Sequence, residues 1–341
     1  MKRNTKEKVK GFNRSIEEHR VRLSAARPLK EAAAVSCKDV LIPLRRDVRI
    51  PIRIYRPKNI TPPYPTLFYV PGTAFVAKEL AFTEVVCTHI AEKSSCQVIV
   101  INHRLAPENQ FPKGLDDAYN LLRFIVKAPV SLFNIEKNKI AIVGYSSGGT
   151  FAASMAICGK DEGLPIARQI LISPMVDLSR SLKDFKNDFE NKDTAISDAF
   201  VEWFLGLYLP EGVDLKNPWL SPFWHKPKRF QGLPPTDIVF AEYDRFRSDA
   251  QAYYDKLTRA GVDINGFMVK GEDHSFLWYK LEIVEAIGLR IKTAFGLQPI
   301  PEYIPSSNEH QLYFIKPRIK PTDCILDDEE TDKSISSKSK L

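Results

Sequence analysis

The sequence lacks the features that mark membrane-spanning, secreted and zinc-binding proteins. It contains no stretch of about 18 apolar residues, so we expect no transmembrane helix. The charged N-terminus is not followed by the apolar run of a signal peptide. The five cysteines are odd in number and widely spaced, without a Cys-x-x-Cys pair, which argues against a disulfide framework and a zinc site. We therefore expect a soluble protein of a reducing compartment, with the cytoplasm as first choice.

Cofactor and nucleic-acid motifs are also missing. We find no phosphate-binding loop, no G-x-G-x-x-G after the first strands and no metal-ligand spacing, so neither a cofactor nor a metal is expected. The formal charge is +7, but residues 1–10, with five basic side chains and one acid, supply +4 of it. Such an arm could contact phosphates. Without a helix-turn-helix, zinc-finger or RNP-like pattern, a solvated terminus is the better interpretation, and we expect no nucleic-acid partner.

What is present indicates an α/β protein. The 341 residues, 44% hydrophobic and 27% charged, correspond to about two domains, although α/β enzymes of this size often form one. Apolar β-rich runs alternate with helix-period segments, which predicts a mostly parallel sheet flanked by helices. The predicted strands are Thr66–Val70, Gln97–Ile101, Lys139–Val143, Gln169–Ile172, Asp237–Phe240 and Ile264–Val269, and the predicted helices are Glu79–Lys93, Leu115–Val126, Ser147–Ile157, Ser248–Ala260 and Ser275–Ala294. An antiparallel hairpin is predicted at Val40–Pro57.

Two regions interrupt this alternation. Residues 1–35 form a charged arm, and residues 179–235 carry an aromatic-rich insertion within the main unit, residues 36–296. The insertion could be a lid over an apolar pocket or a patch that only closes the core, and both interpretations stay open. Its aromatic residues are Trp203, Phe204, Tyr208, Trp219, Phe223 and Trp224. Residues 297–341 form an extension that we expect to be disordered at its end.

The segment KIAIVGYSSGGT, residues 139–150, is a G-x-S-x-G motif between a strand and a small-residue helix. A nucleophilic serine needs its Oγ on a sharp turn outside the sheet, and glycine on either side leaves room for that turn. Ser146 is therefore the candidate nucleophile. Ser147 is the rival hydroxyl, but it lies one step too far along, so its backbone N–H is the expected contributor.

A serine nucleophile requires a base and an acid that orients the base. Of the six histidines, His274 follows the strand Ile264–Val269, at a strand's carboxyl end. Asp244 follows another strand, and the order serine, aspartate, histidine is that of α/β hydrolases. Asp177 is a possible substitute for the acid. Asp249 is interpreted as a charged residue in a helix turn, and Asp273 as a solvated residue in a loop. Acids at 108, 116 and 117 are expected to cap the following helix.

These motifs resemble the hormone-sensitive-lipase-like, or α/β-hydrolase fold-3, family of carboxylesterases. The resemblance covers roughly residues 35–296, and its carriers are IPIRIYRP (50–57), PGTAF (71–75), HRLAPE (103–108), FPKGLDDAY (111–119), GYSSGG (144–149), ISP (172–174), LPPTDIVFAEYD (233–244) and DHSF (273–276). It implies the α/β-hydrolase fold, a helical cap formed by the N-terminal arm and the insertion, and the triad Ser146, Asp244 and His274.

The oxyanion loop departs from the family pattern. Where the family has H-G-G-G, this chain has Pro71, Gly72, Thr73 and Ala74. The resemblance assigns the oxyanion hole to the backbone of Thr73, Ala74 and Ser147, but Pro71 cannot make the anchoring bonds of the family's histidine. Because one oxyanion donor is worth on the order of 100-fold or more in turnover, we expect a slower enzyme or different substrates.

The leading hypothesis is thus a serine carboxylester hydrolase that acts on small to medium acyl esters through an acyl-enzyme. The alternative is a catalytically weak ligand-binding protein or receptor on the same fold, and amide cleavage would use the same machinery. The expected partner is a small-molecule ester, and a homodimer stays an open option. The last three residues, Ser339, Lys340 and Leu341, spell a peroxisomal address, which is an alternative to the cytoplasm in a eukaryotic host.

Overall fold

The computed structural model describes residues 14–25, 32–78, 80–180, 196–297 and 312–315. Within these ranges, no helix is both long and apolar enough to cross a bilayer. The proposed peroxisomal address and most of the extension after residue 297 lie outside the described residues, as do the first part of the charged arm and residues 181–195 of the insertion.

A nine-stranded sheet forms the centre of the described part of the molecule. Its strands, in chain order, are β1 (Val35–Arg45), β2 (Val48–Pro57), β3 (Tyr64–Val70), β4 (Gln97–Ile101), β5 (Ile135–Tyr145), β6 (Arg168–Ile172), β7 (Thr236–Ala241), β8 (Ile264–Val269) and β9 (Leu312–Ile315). The spatial order is β1-β2-β4-β3-β5-β6-β7-β8-β9. The six central strands, in the spatial order β4-β3-β5-β6-β7-β8, are parallel. At the two edges, β1, β2 and β9 pair antiparallel.

Helices cover both faces of this sheet. They are α1 (Ile16–Ala25), α2 (Leu80–Ser94), α3 (Lys113–Lys127), α4 (Val130–Phe133), α5 (Ser147–Asp161), α6 (Asp198–Tyr208), α7 (Arg247–Arg259) and α8 (Leu281–Ala294), with short 3₁₀ helices at Pro222–Trp224, Pro227–Phe230 and Phe276–Trp278. Apolar residues of α2 and α8 form the core on one face, and those of α3, α5 and α7 form the core on the other. Strand residues alternate between the two: Leu67 and Tyr69 face the first, Phe68 and Val70 the second.

The alternation of strands and helices in the sequence is confirmed, as is the antiparallel hairpin. The predicted helix Ser275–Ala294 is wrong at its start: a 3₁₀ turn at Phe276–Trp278 precedes α8, which begins at Leu281. The predicted caps of α3 are also wrong, because its N-terminus has no side-chain cap bond. Two of the three acids form ion pairs instead, Glu108 with Arg20 and Asp117 with Arg104.

The insertion contributes α6, whose aromatic residues divide between two environments. Trp203, Phe204 and Tyr208 are buried in the core, and Tyr208 stacks on Phe75 with ring centroids 3.9 Å apart. Phe200, on the same helix, packs against His19 of α1 at 5.4 Å. The insertion therefore both closes the core and, with α1, forms one wall of a cavity at the carboxyl ends of the strands.

Candidate active site

Ser146 lies on the sharp turn between β5 and α5. Its backbone has φ 54° and ψ −122°, a conformation that is strained for any residue other than glycine. The flanking glycines permit this turn. A Cβ on Gly144 would lie 2.3 Å from the Gly148 carbonyl oxygen, and one on Gly148 would lie 2.1 Å from the Val70 oxygen. The prediction that glycine is needed here for space is confirmed.

The structure joins Ser146, His274 and Asp244 in one chain of hydrogen bonds. Ser146 Oγ lies 2.8 Å from His274 Nε2, and His274 Nδ1 lies 2.9 Å from Asp244 Oδ1. All three residues are buried, with Ser146 the most exposed at 8%. The strands β5, β7 and β8 bring them together, since parallel neighbours end at the same edge of the sheet.

Neighbouring groups hold the imidazole and the carboxylate in place. The Tyr145 hydroxyl donates to the His274 carbonyl oxygen at 2.7 Å, and the Phe246 N–H donates to Asp244 Oδ1 at 2.8 Å. The rings of Tyr145 and Phe246 pack on the imidazole at 5.5 and 5.2 Å. The His274 ring is thus enclosed by aromatic surface, a positioning role for Tyr145 and Phe246 that no sequence motif indicated.

The other acids considered from the sequence are engaged elsewhere. Asp177 accepts hydrogen bonds from the Ser179 hydroxyl and from Trp224 Nε1. Asp273 accepts from the Tyr279 hydroxyl and the Ser275 N–H. Asp249 is buried and accepts from the N–H groups of Val176 and Asp177. Burial raises the pKa of the Asp249 carboxyl to about 8.

The three N–H groups expected to form the oxyanion hole have different environments. The Thr73 N–H donates to Ser147 Oγ at 2.9 Å, and Thr73 lines a separate cavity of about 240 Å³. Ala74 has a left-handed backbone, φ 45°, and lines the same cavity as Ser146 and His274. Within the described ranges, the N–H groups of Ala74 and Ser147 donate to no protein acceptor. The structure thus leaves two of the three donors available.

A cavity of about 400 Å³ opens on Ser146 and His274. Its floor includes Gly72, Ala74 and Tyr145. Its walls come from α1 and the segment just before it, from residues 196–200 around the start of α6, and from the 3₁₀ turn before α8. The wall residues are Arg14, His19, Arg22, Leu23, Ile196, Ser197, Phe200, Ser275 and Trp278. The family resemblance implied that the N-terminal arm belongs to the cap, but no sequence pattern indicated which residues of the arm line the cavity.

The imidazole of His19 is buried in this wall. Burial, reinforced by the charges of Arg14, Arg22 and Arg20, lowers the pKa of His19 to about 4. The histidine is therefore neutral at physiological pH. In the part of the chain that the structure describes, no group of three or more His, Cys, Asp or Glu side chains could hold a metal ion.

The chain is similar in sequence and fold to known esterases. A sequence profile of the alpha/beta hydrolase fold matches residues 67–278. Carboxylesterase NlhH of Mycobacterium tuberculosis is 32% identical over 219 residues, 63% of this chain and 67% of the relative. An arylesterase of Saccharolobus solfataricus is 29% identical over 240 residues, 70% of this chain and 76% of the relative. The crystal structure of the Pyrobaculum calidifontis esterase, 27% identical, superposes with a TM-score of 0.70 over 85% of this chain and 94% of its own.

A relative with a different role is also similar. The gibberellin receptor GID1A of Arabidopsis thaliana is 26% identical over 274 residues, 74% of this chain and 78% of the receptor.

Fold and matched profile together define an α/β hydrolase. Within that class, the chain belongs to the hormone-sensitive-lipase-like family of carboxylesterases, and it is a carboxylic ester hydrolase.

Proposed function

We propose that the protein hydrolyses small to medium acyl esters through an acyl-enzyme formed on Ser146. The observation that carries the proposal is the continuous chain of hydrogen bonds from Ser146 Oγ through the His274 imidazole to Asp244. A serine hydroxyl attacks an ester only when a base takes its proton, and His274 Nε2 is within hydrogen-bond distance of that proton. Asp244 holds Nδ1 and stabilises the imidazolium that forms.

The proposed reaction has two steps, formation of the acyl-enzyme and its hydrolysis. In the first, Ser146 Oγ bonds to the acyl carbon, its proton moves to His274 Nε2, and the same proton then goes to the departing alcohol. In the second, a water molecule gives a proton to His274 and its oxygen to the acyl carbon. The bond to Ser146 Oγ breaks, the serine regains its proton and the acid leaves.

In this proposal, two backbone N–H groups bind the developing oxyanion. The Ser147 N–H lies at the first turn of α5, where the helix dipole adds positive potential. The Ala74 N–H comes from the opposite loop, which lines the same cavity. Donors held rigidly in a cavity stabilise the tetrahedral intermediate more than water does, because they need no reorganisation. The α1 segment and the start of α6 act as the cap and limit the size of the acyl and alcohol groups.

The competing function is ligand binding without efficient turnover. The observation that favours it is the loop at Pro71–Ala74, where the Thr73 N–H donates to Ser147 rather than to the cavity. The hydrogen bonds among Ser146, His274 and Asp244 argue against this alternative, because a protein that only binds a ligand does not require them. We therefore retain the hydrolase as the proposal.

The test compares wild type, Ser146→Ala and the control Ser36→Ala, whose hydroxyl lies on the exposed strand β1. The substrates are para-nitrophenyl acetate, butyrate and octanoate. We expect saturable hydrolysis by wild type and control, and no hydrolysis by Ser146→Ala. A fluorophosphonate should add to Ser146, as located by peptide mass spectrometry. Folded wild type that neither turns over the esters nor takes up the label would contradict the proposal and support the receptor.

A further inference from the structure

The wall that α1 contributes to the active-site cavity is basic. Arg14 and Arg22 both line the cavity that opens on Ser146. His19 lies between them along the chain and is neutral at physiological pH because burial and the neighbouring arginines lower its pKa. The positive charge of this wall therefore comes from the two guanidinium groups.

Among the described residues that line the cavity, none is aspartate or glutamate. Glu18 lies one turn before Arg22 on α1, but its carboxylate accepts from the Ser15 N–H. Asp198, at the start of α6 beside the lining residue Ser197, forms an ion pair with Arg245.

Arg22 is the more available of the two arginines. It is exposed, and within the described ranges it forms no ion pair or hydrogen bond with any side chain. An arginine in this state offers several N–H donors in a planar fork that fits a carboxylate. It lies on the cavity wall together with Phe200 and Trp278, which provide apolar surface for a hydrocarbon chain.

We propose that the preferred substrates are esters that carry a free carboxylate, and that Arg22 and Arg14 bind this carboxylate while Ser146 attacks the ester. The inference rests on the proposed ester hydrolysis and specifies its substrate class. Because a carboxylate elsewhere in the molecule does not change the bond that breaks, the reaction itself is the same as for a neutral ester. The arginines act through binding and orientation of the substrate, so they are specificity residues.

The experiment compares anionic and neutral esters of matched shape. For the alcohol side, the pair is para-butanoyloxybenzoate and para-butanoyloxybenzamide. For the acyl side, the pair is the mono-para-nitrophenyl ester of adipic acid and para-nitrophenyl hexanoate. The measured quantity is the ratio of kcat/KM for the anionic ester to that for its neutral partner. Because the intrinsic reactivity of each pair is constant, changes in the ratio between variants report only on the protein.

The variants are Arg22→Gln, Arg22→Glu and the double variant Arg14→Gln/Arg22→Gln. The matched control is Arg46→Gln, which removes another exposed charge, at the β1–β2 turn, away from every cavity wall described above. Glutamine is about as good a helix former as arginine, so α1 should persist.

For at least one of the two substrate pairs, we expect Arg22→Gln to lower the ratio by about twofold to fivefold, the range typical of a solvent-accessible charge pair. The decrease should be larger for the double variant and for Arg22→Glu. The control should leave the ratio unchanged. Added salt should lower the wild-type ratio, because salt screens exposed charges, and should have less effect on the double variant.

The outcomes separate this inference from the proposed function. If neutral esters are hydrolysed but neither ratio depends on Arg22, Arg14 or salt, the carboxylate preference is wrong and the hydrolase stands. If a ratio decreases equally in the control, the effect comes from overall charge and the assignment to this wall is wrong. If folded wild type hydrolyses neither member of either pair, the proposed function itself fails.

Discussion

The Ser147 side chain accepts a hydrogen bond from the Thr73 N–H at 2.9 Å. Alanine at this position could not accept it, so removal of the hydroxyl would free this backbone donor, which the family resemblance assigns to the oxyanion hole. In the proposed arrangement, the N–H groups of Ala74 and Ser147 bind the oxyanion and the Thr73 N–H does not. Since one donor is worth about 100-fold or more in turnover, even partial recovery of a third should be measurable.

We therefore predict that Ser147→Ala raises kcat for para-nitrophenyl butyrate about threefold or more, with a smaller change in KM. A boronic acid that mimics the tetrahedral intermediate should bind more tightly to the same extent. Ser147→Thr keeps the hydroxyl and should remain close to wild type. A decrease in kcat for Ser147→Ala would mean that the hydroxyl itself assists the oxyanion.

Asp244 allows a second prediction at a single residue. Its Oδ1 lies 2.9 Å from His274 Nδ1, so Asp244→Asn would place an amide there and favour the wrong imidazole tautomer. We expect kcat to fall by about 100-fold to 10,000-fold while the melting temperature changes little. The control is Asp177→Asn, because Asp177 contacts Ser179 and Trp224 instead. Comparable losses in both variants would contradict the assignment of the acid.

Residues of the site were predictable where a local pattern encodes them. Gly144, Ser146 and Gly148 form a motif because the turn leaves no space for side chains. His274 and Asp244 could be selected by chain order and by their position after strands. The bond between Ser147 and Thr73 joins residues 74 positions apart and depends on one rotamer, so no pattern in the sequence reports it. For the same reason, Arg22 could not be placed at the cavity.

Among the elements, α1 is attached to the main unit by the buried side chain of Ile16 and by the hydrogen bonds of one arginine. Arg20 donates to the carbonyl oxygens of Val76 and Ala106, both at 2.9 Å, and forms two hydrogen bonds with Glu108 at 2.7 and 2.9 Å. Val76 follows the oxyanion loop, so α1 and that loop are mechanically connected. The family resemblance implied a helical cap from this arm, but the short helix has little hydrophobic periodicity, so the sequence did not predict its bounds.

We predict that Arg20→Lys loosens α1, because a lysine ammonium cannot reproduce the planar fork that reaches three partners. Amide hydrogen exchange in Ile16–Ala25 should accelerate, and KM for para-nitrophenyl hexanoate should rise about threefold to tenfold. Arg123→Lys is the control, since Arg123 pairs with Glu162 and does not line the active-site cavity. Unchanged exchange in α1 would show that other contacts hold the helix.

The contact between α7 and the loop after β6 gives a prediction about pH. Asp249, on α7, is buried, and that burial raises the pKa of its carboxyl from an ordinary value of 3.8 to about 8. The folded protein therefore holds a proton there that the unfolded chain releases at much lower pH. A raised pKa in the folded state stabilises the fold below the unfolded value, and this stabilisation is lost as the pH rises through the folded value.

Asp249→Asn should remove this dependence, since an amide oxygen can still accept from the N–H groups of Val176 and Asp177. We expect the unfolding free energy of wild type, relative to the variant, to decrease by about 1–3 kcal/mol between pH 4 and pH 8. Urea unfolding at both pH values measures it. A constant difference would mean that the carboxylate is ionised in the fold.

At the scale of the whole molecule, the site depends on topology. Ser146 and His274 are 128 residues apart, and Asp244 and His274 are 30 apart, yet they meet because β5, β7 and β8 are parallel and end at one edge of the sheet. Alternation of strands and helices predicted that arrangement. The edge next to β8 was not predicted, because β9 has only four residues and follows a segment without periodicity.

β9 is the only described strand between β8 and solvent on that side of the sheet, with Val269 paired to Leu312 and Gly266 to Ile315. Without it, the row of backbone donors and acceptors along β8 would be open to other chains, which favours aggregation. β8 also leads directly into the loop that carries His274. We therefore expect a chain that ends at Leu297 to aggregate on warming and to melt at least about 2 °C below the full chain.

A chain that ends at Lys320 keeps β9 and is the matched control. If both shortened chains behave like the full one, pairing with β8 contributes nothing to the stability of this edge. If both are equally destabilised, the loss comes from residues after β9.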